Sequence, residues 1–242
     1  MKIYTQELEI PTYLCDRHDR LFTWAAVRLC QEVSEMHSKA TGLGYEELLQ
    51  KNLVWIISRA YYIIYRRANA SEKVMLSTWS RGNTGLFAIR DYEMRSTAGE
   101  VLMTGTTYWP LIDHVSHKPI RLSHLMDGYE CHDLSATDRT ELERLRLPDM
   151  SQPDGELRLA ANYSIVDHVG HVNNAEYVKM IFDSLVQVAF NIDRPFALEL
   201  NYNHETPFGD MLSVLRKQDN GAEWFQITNS RGLGVSAKVS RP

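Results

Sequence analysis

Asp167-His168-Val169-Gly170-His171-Val172-Asn173-Asn174 runs without a break into Ala175-Glu176-Tyr177. The stretch is a polar loop that opens onto an apolar segment. From Asn174 to Phe190, Val178, Ile181, Leu185 and Val188 share one face of a helix. Ahead of the loop, Glu156 to Ser164 reads as a strand. Behind the helix, Phe196 to Glu205, Met211 to Lys217, Glu223 to Asn229 and Gly234 to Val239 read as further strands.

The first half carries the same order. Lys2 to Ile10 reads as a strand and ends at Pro11. Ala26, Leu29, Cys30, Val33 and Met36 then fall at helical spacing, and Gly42 and Gly44 close that helix. Strands Val54 to Arg67, Lys73 to Arg81, Leu86 to Arg95 and Val101 to Ile112 follow, with Asn69, Gly82-Asn83 and Ala98-Gly99 in the turns. One strand, one long helix and a run of strands therefore occur twice. Ser71-Glu72-Lys73-Val74-Met75-Leu76 also echoes Phe208-Gly209-Asp210-Met211-Leu212-Ser213. A helix with one apolar face must bury it against a sheet. Each half is thus expected to curl an antiparallel sheet around its own helix, an α+β architecture. Two such sheets can pair edge to edge, which covers strand edges that would otherwise stay open.

Residues 116–155 interrupt the pattern with Pro119, Pro148, Pro153 and Gly155. Thr137 to Leu145 within it is charged and helical in character. Its leucines argue for an ordered linker with one surface helix rather than a flexible tether. The expected division is 1–115, a linker 116–155, and 156–242.

Apolar residues form 44% of the 242 and charged residues 24%, enough for a core. A formal net charge of −5 argues against a molecule built as a whole to bind nucleic acid. Cys15, Cys30 and Cys131 are odd in number and in no ligand spacing, which reads as free thiols in a reducing compartment. No apolar run suits a signal peptide or a membrane span, so the expectation is a cytoplasmic protein without a membrane partner.

The loop before the second helix is where chemistry is expected. Backbone N–H groups at a helix start lack internal partners and favour negative charge. A donor aimed at a carbonyl oxygen under attack is worth roughly 3–4 kcal/mol of barrier. His171 sits where it can activate a water or protonate a leaving group, and Asp167 where it can fix the imidazole or the water. The plainer reading is that Asn173 or Asn174 only caps the helix and His171 is a surface residue. A metal held by His168, His171 and His204 is a third reading, with no supporting ligand spacing.

Asp167, His168, Val169, Gly170, His171, Val172, Asn173, Asn174 resembles the motif of the acyl-acyl carrier protein thioesterases of plants and bacteria. That motif reads Asp, any, Asn, any, His, Val, Asn, Asn, and leads into the second helix. The resemblance extends over nearly the whole chain, including the Tyr4-Thr5 strand and Trp55-Ile56-Ile57-Ser58-Arg59. It implies two tandem hotdog units, the first with the acyl-chain pocket and the second with the catalytic motif. It further implies hydrolysis of a fatty acyl thioester on acyl carrier protein, without metal or organic cofactor. Where the family has the first Asn, this chain has Val169, which cannot hydrogen-bond through its side chain. Either His168 or Asn173 substitutes, or turnover is low.

The family also places a carboxylate after the next strand, with Glu-Cys in plant members. Here the resemblance assigns Glu205 as a base and puts Thr206 in the place of the cysteine. A threonine hydroxyl is a far weaker nucleophile than a thiolate, which favours direct attack by water. Strand alternation raises an objection. Phe196, Leu198, Leu200 and Tyr202 mark the apolar side, which puts His204 toward the helix and Glu205 on the polar side. A bulge near Pro207 would swing Glu205 inward.

Trp24, Trp55 and Trp79 are candidates for the pocket lining, with ordinary core packing as the alternative. Arg66-Arg67 is a candidate dock for the acidic carrier protein, with a solvated strand end as the alternative. Cys131 is expected to be inert. The sequence leaves the oligomeric state open, a homodimer included. Rival readings are an acyl-coenzyme A thioesterase, a hydroxyacyl dehydratase and a non-catalytic acyl-thioester sensor.

Overall fold

The computed structural model describes residues 2–125, 129–139, 141–186, 188 and 190–242. The chain forms two compact units, Met1–Leu142 and Glu143–Pro242.

In the first unit, β1 (Ile3–Glu9) leads through a loop to α1 (Thr23–Ala40) and the short α2 (Tyr45–Leu49). Strands β2 (Leu53–Trp55), β3 (Arg59–Ile64), β4 (Lys73–Thr84), β5 (Phe87–Ser96), β6 (Val101–Asp113) and β7 (Pro119–Ile120) follow. The antiparallel sheet runs β1-β4-β5-β6-β3, with β2 and β7 paired to the end of β6. The expected strand Val54 to Arg67 is therefore two strands, broken at 56–58, and α2 was not anticipated.

Helix α1 buries Ala26, Val27, Cys30, Val33 and His37 against this sheet, while Met36 lies at the exposed margin. Its end is a Schellman motif. Gly42 takes φ +74°. Gly42 N–H then donates to Lys39 O at 3.1 Å and Leu43 N–H to Ser38 O at 2.8 Å.

The second unit contains β8 (Gly155–Ala160), α3 (Asn174–Leu185), β9 (Phe196–Tyr202), β10 (Met211–Asp219), β11 (Ala222–Asn229) and β12 (Gly232–Ser240). Its sheet runs β8-β10-β11-β12-β9, all antiparallel. Taken in chain order within each unit, β1, β3, β4, β5, β6 and β8, β9, β10, β11, β12 are laid out identically. The repeat seen in the sequence is thus a repeat of topology.

Three expected boundaries change. β8 stops at Ala160, and Tyr163–Ile165 forms a 3-10 turn. α3 stops at Leu185, so Val188 lies beyond it, while Gln187 and Ala189 fall outside the described residues. β9 stops at Tyr202, and both of its faces are buried. Glu199 meets Lys238 at 3.5 Å, and Asn201 Oδ1 accepts from Leu145 N–H at 2.5 Å.

The linker corrects the sequence reading most. Residues 137–145 show no helix at any described position; Thr140 lies outside the description. The segment is an extended strap instead. Ala136 N–H donates to Asp91 Oδ2 at 2.7 Å, Thr137 Oγ1 lies 2.9 Å from Thr106 Oγ1, and Leu142 N–H donates to Tyr108 OH at 3.2 Å. Arg139 stacks 4.1 Å from the Tyr61 ring centroid. Asp91, Thr106, Tyr108 and Tyr61 alternate with Tyr92 and Thr107, which bond on the α1 side. The strap therefore covers the sheet face opposite α1. Side chains on that face satisfy its amides, so it has no need of a helix.

No described helix is long and apolar enough to cross a membrane.

Asp91 holds the strap. Its side chain is fully buried, and its Oδ2 lies 3.2 Å from Arg81 Nε. Burial pushes its carboxyl above the usual range, against the pull of Ala136 N–H and Arg81. Asp91→Ala leaves the Arg81 charge and an amide without their partner. The expected loss is about 3–5 kcal/mol in a urea unfolding experiment. An unchanged midpoint would show that the strap does not depend on Asp91.

Candidate active site

The loop between β8 and α3 is organised by Asp167. Its carboxylate Oδ1 accepts from Val169 N–H at 3.0 Å, its carbonyl accepts from Gly170 N–H at 3.0 Å, and its N–H donates to His171 O at 2.9 Å. Gly170 closes the turn at φ +88°, a left-handed conformation that costs glycine nothing. Its missing Cβ would meet no atom within 4 Å, so conformation rather than crowding is what requires glycine there. Val169 is 42% exposed at the tip of the turn, and His168 is exposed beside it. Asp167 thus shapes the loop through Val169 N–H and makes no hydrogen bond to the His171 ring.

At the start of α3, Asn173 is the cap, with Oδ1 accepting from Ala175 N–H at 3.0 Å. Asn173 O accepts from Glu176 N–H at 2.9 Å, and Asn174 O accepts from Tyr202 OH at 3.3 Å.

The loop is tied to the segment after β9. Val172 N–H donates to Thr206 O at 2.8 Å, and His171 pairs with Pro207 as an isolated bridge. The Thr206 side chain is fully buried. Its Oγ1 accepts from Tyr177 OH at 2.9 Å and from Asn229 Nδ2 at 2.7 Å. The Thr206 side chain thus faces α3 and is engaged by these two bonds.

The expected bulge near Pro207 lies elsewhere. Ile227 pairs with Val235 but Thr228 with Leu233, which leaves Gly234 as the extra residue of β12. Gly234 O collects Asn203 N–H at 2.8 Å and His204 N–H at 3.3 Å. β9 has already ended, so the two-residue alternation no longer governs 204 and 205. A Cβ at Gly234 would lie 3.3 Å from Asn229 Nδ2 and 3.4 Å from His204 O, so side-chain bulk would press on both.

Glu205 is about half exposed and pairs with Arg231 Nη1 at 2.5 Å. Burial pushes its carboxyl up. Its own backbone N–H, Arg231 and the nearby His171 outweigh that and hold it below the usual carboxylate range. Burial raises the Tyr177 hydroxyl, and the charges of Glu205 and Asp167 raise it further against the Thr206 bond. His171, Glu205, Asp167 and Tyr177 therefore share one electrostatic neighbourhood. His171 is half-buried; His204 is exposed. Among the described residues no three His, Cys, Asp or Glu side chains converge as metal ligands, so His168, His171 and His204 form no such group.

Tyr177, Asn229, Arg231 and Gly234 were not singled out beforehand. Only Tyr177 left a sequence signal, one turn into the helix after the motif.

The first unit contains the same loop. Asp16 Oδ1 accepts from His18 N–H at 2.8 Å, Asp16 N–H donates to Arg20 O at 2.8 Å, and Leu21 N–H donates to Ala68 O at 2.8 Å. Arg20 bridges Asn69 as His171 bridges Pro207. In this copy Arg20 occupies the place of His171 and Arg67 that of Glu205. Arg67 is buried and closes onto Asp16 at 2.6 Å. Arg66 meets Glu72 at 2.8 Å and Glu100 at 2.7 Å. Both guanidinium groups are matched by carboxylates of the same unit, and the buried Arg67 is no solvated strand end.

Of the candidate pocket tryptophans, Trp55 lines a cavity of the first unit and Trp24 and Trp79 do not. Trp24 stacks on Phe22 at 5.5 Å, and Trp79 donates to Leu134 O on the strap at 2.8 Å.

Residues 1–127 match the acyl-ACP thioesterase N-terminal domain model, and residues 151–237 match the C-terminal domain model. The chain belongs to the acyl-ACP thioesterase family. It is 23% identical over 228 residues to a palmitoyl-acyl carrier protein thioesterase of Gossypium hirsutum, covering 88% of this chain and 54% of that protein. It is 21% identical over 220 residues to an oleoyl-acyl carrier protein thioesterase of Arabidopsis thaliana, covering 86% and 60%. The chain spans about half the length of the curated relatives it matches. Among solved structures, an acyl-ACP thioesterase from Bacteroides thetaiotaomicron superimposes with TM-score 0.84 at 23% identity, over 98% of this chain and 97% of that one. A 12:0-ACP thioesterase from Umbellularia californica gives 0.86 at 20%, over 98% and 96%. These likenesses establish the fold as mostly antiparallel sheet with few helices.

The Glu205 carboxyl is expected to titrate below the ordinary glutamate range in carbon NMR, and Arg231→Ala to move its midpoint upward. A folded-state value below the unfolded one stabilises the protein above the unfolded value and loses that contribution as pH falls through the folded one. A Glu205 midpoint unmoved by Arg231→Ala would remove the guanidinium as the cause.

Proposed function

We propose that this protein hydrolyses the thioester of a fatty acyl chain on acyl carrier protein, releasing free fatty acid and the carrier's thiol. Its two units are read as tandem hotdog folds, because each curls the same strand order beside one long helix. The observation that carries the proposal is the juxtaposition of His171 and Glu205 beside the capped start of α3, in a chain of this family.

In this reading water attacks the thioester carbonyl directly. Glu205, ionised over the neutral range, and His171 orient the water and take its proton. His171 returns a proton to the departing thiolate. Ala175 and Glu176 N–H are occupied by Asn173, which leaves Asn174 N–H as the donor for the developing oxyanion. Asp167 acts by holding the turn that delivers His171. Thr206 is buried and doubly hydrogen-bonded, which supports the absence of a covalent intermediate at that position. Asn173 is committed to the cap and His168 is exposed, so neither stands in for the side-chain amide that Val169 lacks.

His171→Ala is expected to lower fatty acid release from acyl carrier protein by roughly 10²–10⁴-fold. Val169→Asn is expected to raise it. Release that is indifferent to His171 would remove the imidazole from the reaction. Faster release from acyl-coenzyme A than from acyl carrier protein would reassign the substrate.

A further inference from the structure

The first unit has a cavity of about 110 Å³ between α1 and strands β4, β5 and β6. Leu43, Trp55, Ala88 and Trp109 supply apolar wall, as a hydrocarbon chain requires. One wall residue does not fit a plain hydrocarbon. Arg90 lines the cavity, and its partners are not carboxylates: His37 Nδ1 lies at 3.0 Å, Thr78 Oγ1 at 3.2 Å and Ser38 Oγ at 3.1 Å.

Arg66, Arg67, Arg81 and Arg216 each meet a carboxylate, whereas the half-buried Arg59 donates to Leu142 O and lies over the Phe87 ring. Arg90 meets no carboxylate among the described residues. The three bonds above use three of the five N–H groups of a guanidinium, and two remain. Gln31 lines the same wall with a side-chain amide that can both donate and accept. Glu35 also lines the cavity. Its side chain is 39% exposed and 4.0 Å from Lys39 Nζ, and its Oε1 accepts from Tyr45 N–H at 3.1 Å. Its negative charge at the mouth disfavours a fully anionic ligand. A buried donor left without an acceptor costs about 1–3 kcal/mol, and more for a charged group. An apolar ligand would leave the Arg90 donors in that state.

We propose that this cavity selects an acyl chain bearing a neutral oxygen, a hydroxyl or oxo group, which accepts from Arg90. The inference rests on the thioesterase reading for the ligand's being an acyl chain. It adds that the chain is oxygen-substituted and that Arg90 determines the preference. Gln31 is placed to serve a hydroxyl as second partner.

The test uses the full chain and acyl carrier proteins of matched chain length, unsubstituted or with a hydroxyl or oxo group moved along the chain. In parallel, the corresponding free acids compete with a fluorescent fatty acid for the cavity. At one or more positions the oxygenated chain should exceed the plain one by about tenfold or more in kcat/KM and in competition. Arg90→Leu should collapse that ratio. Plain chains equal or preferred at every position in the wild-type protein would overturn the proposal, and this needs no variant to fold. So would a ratio unchanged in a folded Arg90→Leu protein, or a stronger preference for a terminal carboxylate. If no carrier-bound chain is hydrolysed, the thioesterase reading fails by itself, and the competition arm still decides the role of Arg90.

Discussion

Thr206 joins two stretches of chain that lie far apart in sequence. Its carbonyl receives Val172 N–H, and its hydroxyl receives Tyr177 OH and Asn229 Nδ2. Through those three bonds the loop before α3, the first turn of α3 and the end of β11 fix the segment carrying Glu205. Each bond is worth only about 0.5–1.5 kcal/mol net, but breaking the set leaves buried groups unmatched at about 1–3 kcal/mol each. In this chain Thr206, through its carbonyl and its hydroxyl, ties the candidate site together.

The first unit repeats that scaffold with different side chains. The same turn, the same backbone bonds and the same bridge recur around Asp16, Arg20 and Ala68. There the charged residue next to the tie is Arg67, and it closes onto Asp16. In the second unit Glu205 cannot pair with Asp167, since both are acidic, and turns to Arg231. This leaves the half-buried His171 beside a carboxylate held ionised. One duplicated loop thus carries a closed Arg67–Asp16 ion pair in one copy and, in the other, Glu205 paired with Arg231 and close to His171.

Much of this was legible in sequence because local rules govern it. Gly42 and Gly170 mark chain reversals that need left-handed backbone, and Asn173 marks a helix start. The doubled order of strand, helix and strands follows from periodicity. The strap was misread because its charged pattern suits a helix, while its amides are satisfied by Asp91 and Tyr108 of a distant sheet. The orientation of Glu205 was unreadable because alternation ends with β9 at Tyr202 and a bulge at Gly234, on another strand, takes over. Asn229 and Arg231 join the site through strand pairing, which no local pattern encodes. That Arg90 bonds no carboxylate among the described residues is likewise visible only once its neighbours are known.

The account stands on His171 and Glu205 acting on one water. A double-mutant cycle on single-turnover release of fatty acid from acyl carrier protein measures this directly, using His171→Ala, Glu205→Gln and the double variant. Residues that act as a unit give strongly non-additive losses, so the double variant should be about as slow as the slower single one. Losses that multiply would contradict the account, because the two side chains would then contribute independently.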